Sequence, residues 1–110
     1  MDDENTPQLE HPGICLKDSQ GRVRVMLDLH HESGSPQLQF SDADGRPRLV
    51  LSLEPNGDPH ISFFSKDSLC ALSVGLSTEL NGAGLTIRSF DGKHTFNVGV
   101  DEDGAVVQSF

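Results

Sequence analysis

Four arginines, Arg22, Arg24, Arg46 and Arg48, recur as two pairs with 24 residues between equivalent members, and they make up half of the chain's 8 basic side chains. Each pair follows an Asp-x-x-Gly turn, so the four guanidiniums are expected to gather at one edge of the fold. Forked guanidiniums grouped in this way suit an anion or an acidic partner. The plainer reading is cross-strand pairing with Asp18, Asp28 and Asp42, which is worth little at a surface.

Other residues that could do chemistry are weaker candidates. Asp42-Ala43-Asp44-Gly45 and Asp101-Glu102-Asp103-Gly104 look like pieces of calcium loops. A full loop needs six or more oxygens and a closing Glu, and neither Glu54 nor Glu102 falls at that distance. The histidines are His11, His30, His31, His60 and His94. A metal would have to draw them together from separate segments, so surface positions in loops are the expectation. Cys15 and Cys70 stand 55 residues apart without a CxxC or zinc pattern and are read as free thiols. Cys70 has Leu69 and Ala71 beside it and no nearby base, so it lacks the activator a nucleophile needs. Phe64, Leu69 and Leu80 are apolar where a polar side chain is expected. With Phe110 they form a candidate apolar contact surface, or they fill space locally. No Ser/His/Asp spacing, phosphate loop or paired carboxylates stand out. No catalytic residue, metal site or cofactor is assigned, and the expectation is a protein that is not an enzyme.

Composition narrows the partners. With 17 acidic and 8 basic residues the net charge is −9, which repels phosphate backbones and argues against nucleic acid. There is no Trp or Tyr among the 110 residues, which removes the usual stacking platforms and amphipathic pocket walls. No apolar run approaches the length of a membrane span, and no polybasic stretch suits an anionic bilayer. The acidic start Met1-Asp2-Asp3-Glu4-Asn5 is unlike a signal peptide, so a cytoplasmic location without membrane contact is expected.

The elements that position these residues are legible as a repeat. After a polar tail, 1–12, with Pro7 and Pro12, one pattern recurs over 13–34, 35–57, 58–82 and 83–104, and half a unit follows at 105–110. Each unit opens with an apolar pair: Ile14 and Leu16, Leu38 and Phe40, Ile61 and Phe63, Leu85 and Ile87. A triplet follows: Val25, Leu27 and Leu29; Leu49, Leu51 and Leu53; Leu72, Val74 and Leu76; Phe96, Val98 and Val100. Both sets recur at offsets of 24, 23 and 24. Spacing of two within each set is the strand period, with mostly polar or small residues between. Each unit is therefore a β-hairpin with a short and a longer strand, apolar on the same face. Asp18-Ser19-Gln20-Gly21 and Asp42-Ala43-Asp44-Gly45 carry type I turn chemistry with a Gly free to take positive φ. Ser65-Lys66-Asp67-Ser68 has lost that Gly. Pro36 and Pro59 fall at strand starts, where a missing N–H is tolerated.

Twenty apolar side chains on one face, at roughly 1.5–3 kcal/mol each, cannot be left in water. The all-β meander can close as a small barrel, fold over itself as a sandwich, or pack its face against other copies as a fibre-like β-prism. Alternating short and long strands favour the last, with a trimer as the expected homo-oligomer. Bulky inward residues would leave a barrel little cavity for an apolar ligand.

The unit apolar-x-apolar-x-Asp-x-x-Gly-x-x-Arg is seen at Ile14-Cys15-Leu16-Lys17-Asp18-Ser19-Gln20-Gly21-Arg22-Val23-Arg24. It recurs at Leu38-Gln39-Phe40-Ser41-Asp42-Ala43-Asp44-Gly45-Arg46-Pro47-Arg48. It resembles the tandem β-hairpin repeats of uncharacterised bacterial proteins over nearly all of 13–104. The third and fourth units keep the apolar pattern and lose the Asp and most of the Arg. The resemblance implies architecture and no activity. The period is also similar to that of MORN hairpin repeats, but their Tyr and Gly signature is missing and that match is rejected. The functional expectation is a structural or protein-interaction module assembling through its apolar face, with a ligand-binding barrel as the alternative.

Overall fold

The computed structural model describes residues 13–109. The acidic tail with His11 and the contact residue Phe110 lie outside the described residues. The fold is all-β, with nine strands in chain order: β1 (Ile14–Lys17), β2 (Val23–Leu29), β3 (Pro36–Ser41), β4 (Pro47–Leu53), β5 (Pro59–Phe64), β6 (Cys70–Ser77), β7 (Gly82–Arg88), β8 (Thr95–Asp101) and β9 (Gly104–Ser109). Each strand pairs antiparallel with the next, giving one sheet in the order β1 to β9. Among the described residues no helix is long and apolar enough to cross a membrane.

The sheet is open. β1 and β9 each have a neighbour on one side only, so the strands do not close into the barrel held open above. The segment read as half a unit pairs with β8 of its own chain, from Asp101↔Gly104 to Phe96↔Ser109. The expected short–long alternation holds where β1 has 4 residues and β2 has 7, and it is gone where β7 and β8 have 7 each. The cause is local: the β7–β8 pairing runs unbroken to Arg88↔Thr95, while the first three turn-side ends are interrupted by bulges.

Pairing converts the spacing of two into continuous ladders, because residues i, i+2 and i+4 of a strand share a face. Along one margin Leu16, Val25, Phe40, Leu49, Phe63, Leu72, Ile87 and Phe96 stand opposite one another in turn. A central ladder runs from Ile14 through Leu27, Leu38, Leu51, Ile61, Val74, Leu85 and Val98 to Val107. The far margin holds smaller residues: Leu29↔Pro36, Leu53↔Pro59, Leu76↔Ala83, and Val100 between Ala83 and Ala105. We call these the Phe, central and small ladders.

The sheet is a single layer and has no interior. Among the described residues no hydrophobic side chain is buried, and the one buried residue is Ser65, in a turn. Leu16 is 59% exposed, Leu76 55% and Val100 56%. A sheet normally buries one face against another layer; among the described residues there is no such layer.

Candidate functional site

The turns joining β1 to β2, β3 to β4 and β5 to β6 share one construction. A bulge falls between Leu16 and Lys17, between Phe40 and Ser41, and between Phe63 and Phe64. Opposite them Arg24, Arg48 and Ala71 are the extra residues, since Val25 pairs Leu16 while Val23 pairs Lys17, and likewise in the other two. A bulge takes a residue out of the ladder and leaves a backbone group to be satisfied otherwise. Arg24 Nε donates to the Ser41 carbonyl at 2.8 Å, and Arg48 Nε donates to the Phe64 carbonyl at 2.8 Å. Each arginine thus reaches across to the bulge of the next hairpin. Ala71 has no such group and the next hairpin, β7–β8, has no bulge; here Arg88 reaches back from β7, its Nη1 donating to the Cys70 carbonyl at 3.2 Å.

All four candidate arginines lie at this turn-side edge, and each faces a carboxylate. Arg22 Nε lies 2.9 Å from Asp18 and Arg24 Nη1 3.5 Å from the same oxygen. Arg46 Nη1 is 3.2 Å from Asp44, and Arg48 Nη1 is 3.6 Å from Asp42. Asp44 is a partner that the sequence did not suggest. Crowding around Asp18 opposes its ionisation. The backbone N–H groups of Arg22 and Gln20 and the Arg22 guanidinium overcome this and hold the carboxyl at about 2, against an ordinary 3.8. Asp42 is lowered chiefly by the Arg46 backbone N–H, helped by Asp44 N–H and by the charges of Arg46 and Arg48.

The apolar contact candidates do not form one patch. Phe64 lies on the face opposite the apolar ladders, beside Cys70, and is half-buried. Leu69 is half-buried where its carbonyl accepts the Ser65 N–H. Leu80 is 63% exposed in the β6–β7 loop at the opposite strand ends, over a shallow hollow shared with Leu76, Ala83 and Val100. Leu80 therefore extends the small ladder. Cys15 and Cys70 are free thiols.

Sequence reading missed one constellation. Ser52 and His60 are cross-strand partners on β4 and β5, with Ser52 Oγ 3.0 Å from His60 Nε2 and His60 Nδ1 3.0 Å from Glu54. These residues are 8 and 6 apart in sequence, and only the register joins them. Gly75 makes the room: a Cβ there would stand 2.9 Å from the His60 Cβ. A hydroxyl, an imidazole and a carboxylate in line are the parts of an activated nucleophile. Ser52, however, lies inside β4, whose backbone N–H groups are engaged with β3 and β5, so no free amide pair stands ready to hold an oxyanion.

Comparison with protein families, characterised proteins and solved structures finds no match to this chain.

Proposed function

We propose that this chain is a non-enzymatic structural or protein-interaction module that self-assembles through its apolar sheet face, three copies packing around a common axis. One observation carries the reading: three apolar ladders lie side by side on one face, the central one running from β1 to β9, while no described hydrophobic side chain is buried. Nine strands at about 4.8 Å and three ladders each about 6.8 Å wide make a face on the order of 900 Å². The largest apolar patch of a monomer is typically about 300–600 Å². A standard interface removes about 800 Å² from each partner. The face is therefore the size of an interface.

The dimensions of the sheet accommodate three copies. A strand of seven residues spans about 24 Å, so three sheets forming a triangle lie about 7 Å from the axis, close to the half-spacing of about 5 Å between packed sheets. The all-aliphatic central ladder then fills the axis. The turn-side arginines serve the fold in this reading: they satisfy bulge carbonyls and are matched by Asp18, Asp42 and Asp44.

Sedimentation equilibrium or light scattering on the purified protein tests the proposal. The expected mass is three times the 11.9 kDa chain. A folded monomer at micromolar concentration overturns it.

A further inference from the structure

The two margins of the apolar face differ in size, and they differ strand by strand. On β3 the Phe ladder presents Phe40 and the small ladder Pro36; on β5 the pair is Phe63 and Pro59; on β7 it is Ile87 and Ala83. Between them β4 and β6 carry leucine at both margins, Leu49 with Leu53 and Leu72 with Leu76. On β3, β5 and β7 the larger residue at one margin stands with proline or alanine at the other, and on β8 Phe96 stands with the smaller Val100.

Within one chain this matching has no packing consequence, because the two margins of a strand are four residues, about 14 Å, apart. It matters only where the Phe margin of one sheet meets the small margin of another at the same strand level. We infer that copies of this chain associate in the same direction and in register, related by rotation about an axis along the direction of strand stacking. The Phe ladder of each copy then seats on the small ladder of the next, with Phe63 against Pro59 and Ile87 against Ala83 of the neighbouring copy. Along such a seam Phe40 and Phe63 meet proline and Ile87 meets alanine, so large residues face small ones rather than one another, as close-packed interfaces require. The reversed arrangement lays β1 over β9, so Phe63 falls on Phe63 and Pro59 on Pro59. Like margins then overpack at one seam and leave voids at the other.

The inference rests on the proposed self-assembly, and its test separates the two. Cys15 and Cys70 are first replaced by Ser. Cysteines are then placed at Ala83, at Ile87, or at both, and the protein is treated with a short bis-maleimide and run on a denaturing gel. Sedimentation first establishes that each variant keeps its mass; loss of association in the Ser background overturns the self-assembly reading itself. In an assembled protein the double variant is expected to give covalent species of two and three chains, and each single variant to remain a single-chain band. Covalent dimers from Ile87→Cys alone, or no cross-link from an assembled double variant, overturn the aligned arrangement. A volume swap checks it without cysteine chemistry. Ala83→Ile alone should weaken association at least tenfold, and adding Ile87→Ala should restore most of it. A swap no better associated than Ala83→Ile alone also overturns the seam.

Discussion

Asp18, Asp42, Ser65 and Ser89 perform one task with two side-chain chemistries. Each opens a turn and accepts backbone N–H groups across it: Asp18 from Gln20 and Arg22, Asp42 from Asp44 and Arg46, Ser65 from Asp67 and Leu69, and Ser89 from His94. The third turn thus keeps its form although both sequence markers are gone. Ser68 takes the place of the glycine at φ 71°, beside Gly21 at 82° and Gly45 at 85°. A left-handed conformation disfavours an L side chain by roughly 1–2 kcal/mol and suits glycine, whose own entropy loss offsets part of the gain. Ser68→Gly is accordingly expected to raise stability by about 1 kcal/mol in denaturant unfolding, and a lower midpoint would refute the strain. Asp18 gives a pH prediction. Its carboxyl is lower in the fold than in the unfolded chain, so ionisation favours folding. That contribution is whole above 3.8 and fades as pH falls toward about 2. Asp18→Asn should flatten the loss of stability over this interval, and parallel curves for the two proteins would show that Asp18 contributes nothing to it.

At the scale of elements, the strands were legible because burial on one face imposes a period of two, and all twenty apolar positions named in the sequence lie in register on the apolar face. The turn markers Asp and Gly placed the first two bulged ends, while the third is bulged without them. What the sequence did not disclose was contact across strands: that Arg24 and Arg48 answer carbonyls 17 and 16 residues away, that Arg88 reaches back to the Cys70 carbonyl, and that Ser52, His60 and Glu54 converge. Such contacts depend on register and on bulges, which have no composition of their own. The distinction has an energetic consequence. Arg48→Ala strips a partner from a bulge carbonyl and should cost about 1–3 kcal/mol. Arg46→Glu removes an exposed ion pair with Asp44 and an exposed charge near Asp42, and should change stability by less than about 1 kcal/mol. Equal losses in thermal or denaturant melts would contradict this division. Unchanged binding of an acidic partner by Arg46→Glu would likewise remove that arginine from any interaction patch.

For the whole molecule the decisive feature is a sheet that has no second layer among the described residues. Its neighbouring loops are tied along the edge, as where Asp58 accepts from the backbone N–H and hydroxyl of Thr78 and where Asn81 donates to Glu102. These ties hold strands side by side and cover no apolar surface. Leu51, in the middle strand region of the central ladder, lies where the proposed assembly is most closely packed. Leu51→Asp would place an unpaired charge there and should abolish association and folded structure together, seen as loss of the β signal in circular dichroism. A folded, dispersed Leu51→Asp variant would show that the face is not the core of anything. The sequence could indicate that the face had to be covered but not by what, since a barrel, a sandwich and a prism present the same alternation.

If copies of the chain supply one another's missing layer, folding and association are a single transition. The most direct test is therefore the denaturant midpoint measured over a hundredfold range of protein concentration. The account predicts that the midpoint rises steadily with concentration and that sheet signal and oligomer mass are lost together. A midpoint independent of concentration, with a folded single chain at the dilute end, would contradict it.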